Sequence, residues 1–101
     1  MLFRSMEIGI SDLVIPKRGR DSGKVFYVVG IEEEYLFLAD GRVRKIEKPK
    51  KKKLKHIDFA AKCEDRTALK LRNGEKVANS EIRRALAEYA ARSGGEEGGM
   101  Y

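Results

Sequence analysis

The sequence has few of the residues from which catalytic and metal sites are usually built. It contains one histidine, one cysteine and no tryptophan. A single cysteine excludes an internal disulfide and is compatible with a reducing compartment. A zinc site needs more ligands than His56 and Cys63 can supply. No apolar run approaches the roughly 18 residues of a membrane-spanning helix. We therefore expect a cytoplasmic protein with no metal site, no cofactor and no membrane partner.

The sequence also offers few residues that could act in catalysis. His56 is the only side chain whose ordinary pKa lies near neutrality. It stands next to Lys55 in a positively charged stretch, which disfavours protonation of the imidazole. A nucleophilic pair of Cys63 with His56 is formally available, but a lone cysteine is usually a small buried apolar residue. We predict that the protein is not an enzyme.

Positive charge is abundant, and one segment carries most of it. The chain has 22 Lys and Arg residues against 16 Asp and Glu residues, a net charge of +6. Residues 42–55 alone contain nine basic residues and one acidic residue, a segment charge of +8, so the rest of the chain carries −2. Such a segment is either a solvated loop without a partner or a site for a polyanion. The polyanion is favoured, because it offsets the mutual repulsion of the cations.

Short apolar segments separated by turn residues fill the first 60 residues. Two of them, residues 24–31 and 35–39, are apolar on both alternating faces, which predicts central strands. Asp40-Gly41 is typical of a two-residue hairpin, and a slip in the alternation predicts a bulge near residues 44–45. Five short antiparallel strands predict a small β-barrel over residues 9–60. The predicted strands are 12–15, ended by Pro16, then 24–31, 35–39, 42–47 and 54–57, with loops at 17–23, 32–34 and 50–53.

The C-terminal part reads as helical. Asn79 and Ser80 are suitable helix caps, and Ile82, Leu86 and Tyr89 recur at helical spacing. We predict that this helix packs on the sheet, over a face offered by residues such as Phe26 or Phe37, and ends at Gly94. Residues 64–78 fit a short helix closed by Asn73-Gly74 or a hairpin, and the helix is preferred. The predicted organisation is an N-terminal extension (1–8), the barrel (9–60), a helical appendage (61–93) and a disordered glycine-rich tail (94–101).

The candidate binding residues are the cations of two basic stretches. Loops at one end of a small barrel converge, so these stretches are expected to form one cationic face that contacts phosphates. Tyr27, Tyr35 and Phe37 are candidates for stacking on bases, although their strand positions favour core packing. The candidate nucleic-acid-binding residues are Lys17, Arg18, Arg20, Lys24, Arg42, Arg44, Lys45, Lys48, Lys50, Lys51, Lys52, Lys53 and Lys55.

Two runs of the sequence resemble a known family. Residues 12–25, with Gly19-Arg20-Asp21-Ser22-Gly23 between two apolar segments, resemble a KOW motif. The run from Ala39-Asp40-Gly41-Arg42 to Lys55-His56-Ile57 resembles the ribosomal-protein branch of the KOW family, and residues 79–86 resemble the helix of its small stand-alone members. The resemblance covers most of residues 8–90. It implies an SH3-like antiparallel barrel of KOW type with a C-terminal α-helix packed on it.

The resemblance also implies a function. It implies structured RNA, above all ribosomal RNA, as the partner, with RNA contacts at Arg18, Arg20, Lys24 and Arg44. We therefore expect a monomeric, ribosome-associated protein that binds RNA without catalysis. The alternative is an adaptor that docks onto proteins of the transcription or translation machinery. The start of the family's sequences is most similar to residues 6–9, so Met6 is expected to be the natural first residue.

Overall fold

A five-stranded antiparallel sheet forms the centre of the fold. The computed structural model describes the backbone of residues 8–98 and the side chains of residues 8–92. The strands are β1 (Leu13–Pro16), β2 (Phe26–Glu32), β3 (Tyr35–Ala39), β4 (Lys50–Lys53) and β5 (Ile57–Ala61). Their order across the sheet is β4-β3-β2-β1-β5. Two helices, α1 (Arg66–Arg72) and α2 (Asn79–Gly98), follow the last strand.

The first three strands lie close to their predicted positions. Strand β2 is the middle strand of the five, as its two apolar faces predict. β-Branched and aromatic residues suit the pleated, packed surface of these strands. The predicted acidic tip between β2 and β3 is a turn at Glu33 and Glu34, and Glu33 has a φ of 56°.

The predicted fourth strand over residues 42–47 is wrong, and so are the predicted hairpin at Asp40-Gly41 and the bulge at residues 44–45. The Asp40 carboxylate accepts hydrogen bonds from the N–H groups of Arg42 and Arg44, both at 2.9 Å. The Asp40 N–H donates to the Arg44 carbonyl at 2.8 Å. These bonds close a local turn that competes with strand pairing. The strand that pairs with β3 is instead β4, which was predicted to be a basic loop.

The fifth strand begins later in the chain than the predicted residues 54–57. Leu54–His56 form a 3₁₀ turn, and the strand proper begins at Ile57. Strand β5 pairs with β1 at the far edge of the sheet, whereas β4 pairs with β3 at the opposite edge. The structure therefore shows an open antiparallel sheet over residues 13–61. The prediction of five antiparallel strands is confirmed, and β4 and β5 are the two edges of the sheet they form.

Both faces of the sheet are apolar, as predicted for its central strands. The two faces bury separate clusters, because alternate residues of each strand point to opposite sides. Six strand residues and Ile8 form the first core cluster: Ile8, Val14, Phe26, Val28, Leu36, Leu38 and Ile57. The helix-side cluster on the other face contains Leu13, Tyr27, Cys63, Ala68, Val77, Ile82 and Ala85.

Helix α1 confirms the preferred interpretation of residues 64–78. The Asp65 side chain caps its N-terminus by accepting a hydrogen bond from the Ala68 N–H at 2.9 Å. The helix ends at Asn73, and Gly74 follows with a φ of 76°, a conformation that glycine adopts without strain. Ala68 is fully buried, so this short helix persists by packing on the helix-side cluster.

Helix α2 packs on the sheet as predicted, but on the Tyr27 face. Ile82 is fully buried there and Leu86 and Tyr89 are partly buried against the same cluster. Of the two residues named for this face, Phe26 is wrong, because it belongs to the first core cluster on the opposite face. Phe37 does share the face of Tyr27, because Tyr27 pairs with Ala39, two residues further along β3.

The ends of α2 also differ from the prediction. The Asn79 side chain does not cap the helix; its Oδ1 accepts a hydrogen bond from the Ile46 N–H at 2.8 Å and so fastens the turn before β4. The Glu81 carboxylate reaches back to the Ala78 N–H at 2.9 Å instead. Gly94 does not end the helix, whose backbone continues to Gly98. The predicted tail over residues 94–101 therefore begins inside the helix, and residues 99–101 lie outside the described residues.

Candidate nucleic-acid interface

The predicted binding cations lie in three places in the fold. Some are in the loop between β1 and β2, some are in the turn between β3 and β4, and the rest are in β4 and the 3₁₀ turn that follows it. The cations of the first loop are Lys17, Arg18, Arg20 and Lys24; those of the turn are Arg42, Arg44, Lys45 and Lys48; those of β4 and the 3₁₀ turn are Lys50, Lys51, Lys52, Lys53 and Lys55.

The first loop and β4 meet in space, as predicted. The Lys52 ammonium donates a hydrogen bond to the Arg18 carbonyl at 3.1 Å. The Lys17 N–H donates to the His56 carbonyl at 2.8 Å, which joins the loop to the 3₁₀ turn. Gly19 makes this approach possible, because a Cβ at that position would lie 2.8 Å from the Lys52 Nζ. The first loop and the 3₁₀ turn are far apart in the sequence, and the pairing of β5 with β1 brings them together.

The first loop is held by its own hydrogen bonds. The Gly23 N–H donates to the Pro16 carbonyl at 3.1 Å, and the Ser22 N–H donates to the Gly19 carbonyl at 3.2 Å. Gly19 and Gly23 have φ values of 88° and 83°, which residues with a Cβ rarely adopt. The glycines that the sequence shows in this loop therefore set its shape, and the shape places Arg18 beside β4.

Four cations gather around His56. Burial lowers the pKa of the His56 imidazole, and the charges of Arg18, Lys55, Lys52 and Lys53 lower it further. Each of these cations disfavours a proton on the ring, so their charges act on the pKa in the same direction as burial does. We call Arg18, Lys52, Lys53 and Lys55 the basic cluster. The members come from the first loop, β4 and the 3₁₀ turn, so the fold and not the local sequence assembles them.

Arg44 and Lys17 have internal partners. The Arg44 guanidinium lies 3.1 Å from the carboxylate of Asp21, whose side chain is largely buried. The buried Nε of Arg44 has no hydrogen-bond partner among the described residues. Lys17 lies 3.5 Å from Asp58 at the surface. Asp21 is a residue that the sequence analysis missed as part of the site. Its position in an Asp-Ser turn was visible, but its partner across the fold was not.

Tyr27 is not available for stacking on a base. Its side chain is fully buried in the helix-side cluster, and its hydroxyl donates to the Asp65 carboxylate at 3.0 Å. Burial raises the pKa of the Tyr27 phenol above its ordinary value, with Cys63 and Asp65 adding to the shift. Tyr35 and Phe37, in contrast, are only half-buried. The three stacking candidates thus divide into one core residue and two surface residues.

The described part of the chain offers few other sites. No group of three His, Cys, Asp or Glu side chains among the residues that the structure describes lies close enough to hold a metal ion. No helix within residues 8–98 is long and apolar enough to cross a membrane.

No protein-family model matches the chain, and no curated protein gives a significant match. The geometry of the basic cluster therefore carries the functional argument.

Proposed function

We propose that this protein binds structured RNA, above all ribosomal RNA, through the basic cluster and without catalysis. The observation that carries the proposal is the meeting of the first loop with β4 and the 3₁₀ turn, where the Lys52 ammonium donates to the Arg18 carbonyl at 3.1 Å and the Lys17 N–H donates to the His56 carbonyl at 2.8 Å. Gathering like charges costs folding free energy, and phosphates that approach them relieve that cost and release counterions. The arginine adds planar, bidentate phosphate contacts to the point charges of the lysines.

We also propose that the chain belongs to the KOW family. A KOW barrel of SH3-like type has short antiparallel strands and a glycine-containing loop between its first two strands. This chain has an antiparallel sheet of short strands and a hydrogen-bonded loop with Gly19 and Gly23 between β1 and β2. These features support the resemblance. Association with the ribosome in the cytoplasm follows from it as part of the same proposal.

The positively charged surroundings of His56 also favour binding over catalysis. His56 is the only histidine of the sequence, and burial together with the charges of the basic cluster lowers the pKa of its imidazole. A general base works best with a pKa near the working pH and a partner that orients it. A ring surrounded by positive charge is better suited to lie beside a phosphate.

The dependence of RNA affinity on salt tests the proposed function. If the basic cluster and the neighbouring lysines contact about six phosphates, the logarithm of the association constant should fall with the logarithm of salt concentration at a slope of about −4 to −5. The measurement is a fluorescence-anisotropy titration of a labelled rRNA hairpin at several salt concentrations. An affinity that hardly changes between low and moderate salt would contradict phosphate binding by the cluster.

A further inference from the structure

The four lysines of β4 lie alternately on two faces of the sheet. The register pairs Lys50 with Leu38 and Lys52 with Leu36, and both leucines belong to the first core cluster. Lys51 and Lys53 pair with aromatic residues of β3 instead. Because cross-strand partners share a face, one strand contributes cations to two separate surfaces. Of the basic cluster, Lys52 lies on the face of Leu36, whereas Lys53 lies on the opposite face beside Tyr35 and so belongs to both groups.

The second surface combines aromatic rings with cations. Lys53 pairs with Tyr35, and Lys51 pairs with Phe37. The Lys51 ammonium lies 4.6 Å from the centroid of the Tyr35 ring and 5.8 Å from that of Phe37. The Lys53 ammonium lies 5.9 Å from the Tyr35 ring. We call these four residues the aromatic face. An exposed ion pair of Lys51 with Glu32, at 3.7 Å, holds its ammonium only weakly.

A groove continues the aromatic face beyond Phe37. It has a volume of about 440 Å³ and runs between the sheet, the segment before β4 and the connection from α1 to α2. Val29, Ile46 and Val77 contribute apolar walls. Gly30 lies opposite Phe37 in the register, and a Cβ there would come within 3.2 Å of the Phe37 ring. The Phe37 side chain therefore packs over Gly30, where a larger residue would push it away.

We propose that the aromatic face binds an unpaired segment of RNA, with bases stacked on Tyr35 and at Phe37 and with phosphates on Lys51 and Lys53. This inference rests on the proposed RNA-binding function and adds a second site to it. Aromatic side chains on a sheet surface bind the faces of unstacked bases, and nearby cations hold the backbone. On binding, a phosphate takes the Lys51 ammonium away from the Tyr35 ring and leaves a face of the ring free for a base.

The spacing of the two rings favours unpaired over paired RNA. Tyr35 and Phe37 are two residues apart on one strand, which places them about 6.6 Å apart along it. Bases within an A-form RNA duplex remain stacked on one another, and the wide minor groove of the duplex displays only base edges and 2′-hydroxyls. Consecutive bases can therefore reach both rings only in an extended, unstacked strand. An apolar protein segment would bring no negative charge to pair with the two ammonium groups above the rings.

Two RNA probes separate the two sites. The first is an oligouridylate of about 12 nucleotides, within the length that single-strand-binding sites cover. The second is a fully paired hairpin of about 16 base pairs. A Tyr35→Leu, Phe37→Leu double variant keeps apolar side chains but cannot stack. We expect it to lose about 10- to 100-fold in affinity for the oligouridylate and to keep its affinity for the hairpin. Lys52→Gln, on the other face, should weaken the hairpin complex more.

A Tyr35→Trp variant gives an independent readout, because the chain has no tryptophan of its own. The oligouridylate should quench the indole emission by stacking, and the hairpin should not; this result decides the matter even if the leucine variant fails to fold. Absence of quenching on saturation, or an equal loss of both RNAs in a folded leucine variant, would overturn the second site. If the wild-type protein binds neither probe, the proposed function itself fails.

Discussion

An Ile82→Ala variant is expected to unfold with a free energy about 2 to 5 kcal/mol lower than that of the wild-type protein. Ile82 is fully buried between α2 and the sheet, in the cluster that also holds Leu13 and Tyr27. Its truncation removes buried apolar area and leaves a cavity that the sheet cannot fill. In a domain of this size each kcal/mol shifts the melting temperature by about 4 to 8 °C, so thermal melts resolve the effect.

Leu69→Ala is the matched control for this prediction. Leu69 lies on α1 and is 50% exposed, so the same kind of truncation should cost much less. Leu86 is only partly buried and should fall between the two. If Ile82→Ala melted at the temperature of Leu69→Ala, the helix would not be packed on the sheet. The apolar face of α2 would then be open to a protein partner.

A triple variant, Arg18→Gln, Lys52→Gln and Lys55→Gln, is expected to bind RNA about 100-fold more weakly. Each lost contact between a cation and a phosphate costs about 1 kcal/mol or more, and 1.4 kcal/mol corresponds to a factor of ten. The slope of affinity against salt should become less negative by about 2 to 3, because fewer counterions are released. Stability should hold, because relief of repulsion offsets the lost bond from Lys52 to Arg18.

The control for the triple variant carries the same change in net charge. Arg66, Arg84 and Arg92 are exposed on the two helices, and their replacement by Gln removes three cations away from the basic cluster. This second triple variant should keep most of its RNA affinity. Equal losses in the two triple variants would mean that net charge alone governs binding. The basic cluster would then not be a site.

The parts of the fold that could be predicted from the sequence are those that depend on local pattern. Strands β1, β2 and β3 follow from short apolar runs that contain β-branched or aromatic residues, and α2 follows from the spacing of Ile82, Leu86 and Tyr89. Asp65 and Gly74, which bound α1, are likewise local signals. In each case the residues that decide the structure are within one turn or one strand of each other.

The errors arise where hydrogen bonds of side chains, both local and distant, or the pairing of a strand decide the structure. Asp40 satisfies the N–H groups of Arg42 and Arg44, and Asn79 from α2 binds the Ile46 N–H. These bonds convert a predicted strand into a turn. Strand β4 consists entirely of lysines, which have a low preference for strands; its pairing with β3 and its position at the sheet edge override that preference.

The candidate site likewise has features that the sequence could predict and features that it could not. The sequence shows that cations are concentrated in two stretches, and the approach of the first loop to β4 was predicted. It could not show that Arg44 binds Asp21, because the two residues meet only in the folded chain. Nor could it separate Tyr27 from Tyr35. Both lie on the helix-side face, because Tyr27 pairs with Ala39, which shares a face of β3 with Tyr35. Only the folded chain shows that Tyr27 is fully buried there and that Tyr35 is half-buried. The pairing of β4 with β3 is what divides its lysines between two surfaces.

The most direct test of the basic cluster is the pKa of His56, measured by NMR with and without RNA. The single histidine of the sequence gives one unambiguous imidazole signal. In the free protein its pKa should lie below the ordinary value of about 6.5. The unfolded chain then binds this proton more readily, so the contribution of His56 to stability is complete above about pH 6.5 and is lost as the pH falls through the lowered pKa.

Bound phosphates should reverse this shift. They neutralise Arg18, Lys52, Lys53 and Lys55, so the pKa of His56 should rise when an rRNA hairpin saturates the protein, and affinity should increase as the pH falls through that higher value. In the Arg18→Gln, Lys52→Gln, Lys55→Gln variant the pKa should be raised even without RNA. An unchanged His56 pKa in a fully formed RNA complex would contradict the proposal, because the RNA would then lie away from the basic cluster.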